Sequence, residues 1–304
     1  MNGVLLMRRR RPAAAVVVLA VLAAGAAVQG CGADSQAPVP LTAELNQFRD
    51  NYSTQIIEIQ LSNTSAAPVT VLSAEVSSPL FPAGIAWQTE QAGTEVPPGQ
   101  AKSLPAKLPA PSCDDPGVAT GPGETGAGPA PAEVKVSVRR DSTLSEEHLT
   151  APDPYGVLTR NHSELCLAQE TEQVAVIGLA PELEVAADGR TAVVRLQVRP
   201  LDTGTGTPRS LTIESIDGTT LLAEAPEAPW PRGVTVVAGG DDQEVRLRIR
   251  PARCDPHAVA EDKVGTLLPL RLEVGERNGV LKVAAGPELK GRLYQFVTAA
   301  CRAH

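Results

Sequence analysis

The most chemically dense stretch of the chain is Arg250–Lys263, RPARCDPHAVAEDK, which gathers Cys254, Asp255, His257, Glu261 and Asp262. Imidazole and carboxylate donors suit a divalent cation. On a helix, His257 and Glu261 stand four residues apart on one face and could share an ion with Asp255. The same residues also spell an ordinary short helix: Asp255 as its cap, Pro256 in the first helical position and Gly265 past its end, with Glu261 and Asp262 solvated. The capped helix is the leading expectation. A metal-binding envelope protein using Asp255, His257 and Glu261 is the alternative, and no cofactor is expected.

The remaining histidines are His148, His162 and His304. His148 in SEEHL and His162 in RNHSEL stand beside acids or a serine, but a hydrolytic triad is assembled in space and not along the chain. Both are expected on solvated loops. No G-x-S-x-G, Walker, H-E-x-x-H or EF-hand pattern occurs. The GPGETG of Gly121–Gly126 has the dinucleotide-binding spacing, yet it sits in Pro116–Pro131, where nine of sixteen residues are Gly or Pro and no helix can start. The acid pairs Asp114-Asp115, Glu146-Glu147 and Asp241-Asp242 read as turn or surface residues. Methionine occurs only at positions 1 and 7, so thioether ligation of copper is excluded from the rest of the chain. No catalytic residue is assigned and no enzyme activity is expected.

Five cysteines, at 31, 113, 166, 254 and 301, leave one without a partner. Arg8–Arg11 precede an unbroken apolar run, Ala13–Val28, which ends at VQGCG. This is the order of a positive region, a hydrophobic region and a processing site. The ending resembles the lipobox of bacterial lipoproteins, with Val28, Gly30 and then Cys31 as the residue to be lipidated. The Arg-, Ala-, Gly- and Pro-rich composition is of the kind met in GC-rich bacteria such as actinobacteria. The resemblance implies a signal peptide over residues 1–30, a lipidated Cys31 with a tether over 31–40, and residence at the extracytoplasmic face of the cell membrane. An uncleaved anchor or simple secretion would export the chain equally. Residues 1–30 carry four arginines and no acids, so their removal takes the net charge from −8 to −12. Bulk charge therefore excludes nucleic acid as a partner; an envelope protein or ligand is expected instead.

The four other cysteines can pair in three ways, but the chain repeats itself. Val96–Asp114 aligns without a gap on Val237–Asp255, TQIIEIQL (Thr54–Leu61) on TAVVRLQV (Thr191–Val198), and Gly156, Leu158 and Cys166 match Gly291, Leu293 and Cys301 at identical spacing. Two copies of one unit imply one bridge per copy, Cys113–Cys166 and Cys254–Cys301. Redox-active pairs would favour a close C-x-x-C, which is absent.

The elements that position these residues read as short strands. TQIIEIQL, PVTVLSAEV, AEVKVSV, TAVVRLQV, SLTIESI, EVRLRIR and PLRLEV alternate or run apolar over five to eight residues. LDTGTGTP and GERNG read as turns between them, the latter through its Asn-Gly pair, while SEEHLT and AVAEDK favour helical turns. The expectation is an all-β protein: two tandem immunoglobulin-like β-sandwich domains, 41–175 and 176–304, each with one disulfide. Trp87 and Trp230 precede the cysteines of their repeats instead of lying between them, so the resemblance is one of architecture and not of the immunoglobulin family itself.

Overall fold

A computed structural model describes residues 40–89, 93–113, 132–202 and 209–302. The signal segment 1–30, Cys31, the tether up to Val39, Asp114-Asp115, Pro116–Pro131 with its GPGETG, most of LDTGTGTP and His304 lie outside them. Val39–His304 form one compact unit.

In the first repeat β1 (Leu41–Asn46), β2 (Ile56–Asn63) and β6 (Ala101–Lys107) make one antiparallel sheet. A second sheet has the order β4 (Phe81–Gln88), β3 (Val69–Ser78), β7 (Ala132–Arg140), β8 (Thr143–Ala151), with β5 (Thr94–Val96) also on β3. Helix α1 (Val157–Glu172) follows. In the second repeat β9 (Ala175–Leu179) and β10 (Glu184–Val185) both pair with β11 (Ala192–Pro200), which is followed by β15 (Gln243–Pro251) and β13 (Leu222–Glu224). The other sheet runs β14 (Val234–Val237), β12 (Ser210–Ile216), β16 (Leu267–Val274), β17 (Arg277–Ala284). Helices α2 (Pro256–Ala260) and α3 (Pro287–Arg302) complete it.

Strand order thus recurs: β1-β2-β6 as β9-β11-β15, and β5-β3-β7-β8 as β14-β12-β16-β17. Alternation builds each strand. On β7, Ala132, Val134, Val136 and Val138 point into the core, while Glu133 and Lys135 face outward; on β15, Val245, Leu247 and Ile249 do the same between Glu244, Arg246 and Arg248. Each pair of sheets shares one aliphatic core, Leu45, Ile59, Val76 and Val136 among its members in the first repeat and Leu196, Ile213, Leu247 and Leu270 in the second. The paired cysteines are bonded as expected, with Cα–Cα distances of 5.5 Å for Cys113–Cys166 and 5.2 Å for Cys254–Cys301.

Three local expectations are corrected. The chain is β-rich but not all-β: the second cysteine of each repeat sits on a sixteen-residue helix. Proline opens α3, and Leu289, Leu293, Phe296, Val297 and Ala300 fall on one buried face. SEEHLT is strand β8, because hydrogen bonding to β7 outweighs its helical propensity. The turn in GERNG is Gly275-Glu276, with Gly275 at φ 59°, while Asn278 and Gly279 already pair with β16.

Candidate functional site

The Arg250–Lys263 segment resolves into its structural parts. Asp255 caps α2 by accepting the His257 N–H at 2.9 Å, so its carboxylate is engaged at the helix end. His257 and Glu261 are exposed. Among the described residues no group of three His, Cys, Asp or Glu side chains is placed to hold a metal, and Asp255, His257 and Glu261 do not form one. The helix ends at Ala260 without help from Gly265.

Asp262, expected to be solvated, is a junction. Its carboxylate accepts the Gly265 N–H at 2.9 Å, the Thr220 hydroxyl at 2.6 Å and the Tyr294 hydroxyl at 2.9 Å. It thereby ties the chain after α2 to α3 and to the turn before β13. Burial first, then the hydrogen bond to Asp262 and its charge, push the Tyr294 phenol up to about 12.

The two other described histidines differ from each other. His148 is exposed on β8, 3.6 Å from Glu146. His162 is not on a solvated loop: it is 2% exposed on α1, in edge-to-face contact with Phe81, and its Nε2 lies 2.7 Å from the Ser112 carbonyl. Sequence reasoning missed it because the helix was missed; Leu158, His162 and Cys166, each four residues apart, carry the signal.

The described residues of the first repeat enclose a cleft of about 650 Å³. It lies between the β3–β4 turn, the start of β7 and the N-terminus of α1. Leu80, Leu158 and the fully buried Phe81 supply apolar groups; Glu75, Glu133, Asp153, Ser77, Ser78 and Thr159 supply polar ones, and among the described residues no Lys, Arg or His lines it. Asp153 caps α1 through both oxygens, accepting Val157 N–H at 2.7 Å and Leu158 N–H at 2.9 Å. Glu75 is 3.8 Å from Lys135 and lies across Gly84, which has φ 73°; a Cβ there would stand 2.6 Å from Glu75 Oε1.

The second repeat holds a small cavity in its core. There Val194, Leu222, Leu247, Ile249, Leu268 and Leu293 surround about 10 Å³, at the limit for a single water molecule. Leu293 and Leu158 occupy matching positions, but α3 starts six residues before Leu293 whereas α1 starts one residue before Leu158. The extra turn brings Leu289, fully buried, into the core. In α1 no such turn exists.

No family model matches the chain, and no curated relative does. Among solved structures, an exo-chitosanase of Amycolatopsis orientalis aligns with 81% of this chain and 26% of its own length at 13% identity and a TM-score of 0.20. A red sea bream transglutaminase aligns over 81% and 31% at 11% identity and a TM-score of 0.22, and the Yersinia pseudotuberculosis adhesin InvE over 80% and 58% at 10% and 0.15. The chain thus spans about a quarter of the chitosanase. Scores this low assign neither fold nor activity.

Proposed function

We propose that the chain is an exported envelope protein with a non-catalytic binding role, anchored by a lipid on Cys31 to the extracytoplasmic face of the cell membrane. The observation that carries the binding role is the cleft of about 650 Å³ in the first repeat. Apolar walls beneath a carboxylate rim suit a ligand with an apolar body and a cationic head, an amine or guanidinium. Of the rim carboxylates, Glu75 faces Lys135 and Asp153 caps α1, while among the described residues Glu133 has no such partner.

Export is supported by the run of arginines, apolar residues and VQGC, and by one disulfide per repeat, a bond that persists in oxidising compartments. The strand orders support reading residues 41–175 and 176–304 as two immunoglobulin-like sandwiches, with β1-β2-β6 facing β4-β3-β7-β8 and the same plan repeated.

Two measurements test this. Hexylammonium should bind in calorimetric titration and hexanoate should not, with Glu133→Gln weakening binding about tenfold, the loss of one charge-assisted contact; equal binding of the two probes, or none, overturns the ligand class. Cells fed labelled palmitate should label the wild type and not Cys31→Ala, and an unlabelled, soluble wild type removes the anchor.

A further inference from the structure

We infer that Cys113–Cys166 is an exchangeable disulfide, opened by attack of an external thiolate on Cys113 with Cys166 as the leaving sulfur, and that His162 promotes this opening. The two sulfurs are unequal. Cys166 is fully buried on α1, whereas Cys113 is half-buried and lines a cleft of about 700 Å³ between the repeats with Gln169, Glu170, Arg209 and Gly275. Gln169 Oε1 lies 3.1 Å from Cys113 Sγ, and Arg277 of the second repeat donates to the Cys113 carbonyl. An attacking thiolate therefore meets Cys113.

On the buried side, His162 Nε2 is 3.6 Å from Cys166 Sγ and donates to Ser112 O, while Nδ1 is buried with no hydrogen-bond partner among the described residues. Burying an imidazole with an unpaired nitrogen is costly in a core that an aliphatic side chain would fill. The second repeat provides the comparison: at the matching position, four residues before Cys301, stands the fully buried Val297. A structural bridge thus forms in the same setting with no histidine. What an Nε2–H adds beside Cys166 is a donor for a developing thiolate, and a better-stabilised leaving thiolate leaves faster.

The thiolate of a dithiol reductant, of the exported oxidoreductase class, bonds to Cys113 Sγ; the Cys113–Cys166 bond breaks and its electron pair stays on Cys166 Sγ, where the Nε2–H of His162 is shared between Ser112 O and the thiolate. The reductant's second thiolate then attacks the mixed disulfide and releases Cys113. The reductant ends as a disulfide, and both cysteines take up protons. The bond joins α1, the helix that contacts the second repeat, to the chain ahead of it, so opening removes the covalent tie between them.

The test uses the full chain, exposed to glutathione, quenched by alkylation and mapped by peptide mass spectrometry. Glutathione is expected on Cys113 with Cys166 alkylated. With dithiothreitol, His162→Val should slow opening of this pair about tenfold, as a poorer leaving thiolate does, and leave the rate for Cys254–Cys301 unchanged. Glutathione on Cys166, or equal opening rates in His162→Val and wild type, overturns the inference. If His162→Val does not fold, Val297→His decides: it should speed opening of Cys254–Cys301, and an unchanged rate refutes the role of the imidazole.

Discussion

Glu58 is 3% exposed on β2, and its carboxylate accepts a hydrogen bond from Asn51 Nδ2 at 2.9 Å. Burial raises its carboxyl above the ordinary value of 4.5; the Asn51 bond opposes the shift and the charge of Asp50 adds to it. The folded state therefore holds this proton more tightly than the unfolded chain. The stability linked to it is complete below the ordinary carboxyl range and is lost as pH rises through the raised value. Glu58→Gln keeps an acceptor for Asn51 and removes the buried charge. It is expected to raise the melting temperature at pH 7, with the gain closing by pH 3.5; a variant that melts lower at pH 7 would refute the reading. In the sequence Glu58 is simply a polar residue among isoleucines, and the loop of Asn51 that covers it comes from tertiary packing. Asp262 escaped notice in the same way: its partners Thr220 and Tyr294 are far along the chain, so nothing local distinguishes it from a solvated acid. The capping role of Asp255, by contrast, was legible, because a cap acts within two residues.

Strands were the legible elements, since an alternating pattern writes burial directly into the order of residues, and all seven apolar runs singled out lie on strands. The repeat was legible too, and with it the cysteine pairing. The two long helices were not. In α1 the face toward the first repeat includes Asn161 and His162, which read as polar, and the face toward the second includes Leu167. Two partial stripes do not sum to one amphipathic pattern. Asn161 is satisfied in place by Gln47, each amide donating to the other at 3.3 and 3.0 Å, and Arg160 adds a bond to the same Gln47 at 2.7 Å. The helices also start differently relative to their cysteines, α1 late behind its cap Asp153 and α3 early at Pro287. That difference is invisible until both helices are placed.

At the scale of the whole molecule α1 is the shared part. Leu158 packs in the first core and Leu167, 2% exposed, in the second, where it lies against Gly279 of β17. Around it Glu164 pairs with Lys282 and Glu170 with Arg277, both at 2.5 Å, and Lys282 stands 5.0 Å from the centre of the Tyr52 ring, which Arg160 approaches at 5.3 Å. These ion pairs are partly exposed, and such pairs contribute about 0–1 kcal/mol each. A buried leucine reduced to alanine costs about 2–5 kcal/mol, so Leu167 dominates the coupling. Each repeat carries one tryptophan: Trp230 is buried in the second core with its indole N–H on Arg248 O at 2.8 Å, and Trp87 packs against the first. Trp87→Phe and Trp230→Phe therefore turn fluorescence into a separate report on each repeat. In urea the two reports should coincide with Leu167 present, as they must where one helix belongs to both cores. With Leu167→Ala added, the second repeat is expected to unfold at lower urea than the first. Separate transitions in the wild-type background, or transitions that still coincide after Leu167→Ala at unchanged stability, would show that the repeats are coupled by something other than this side chain.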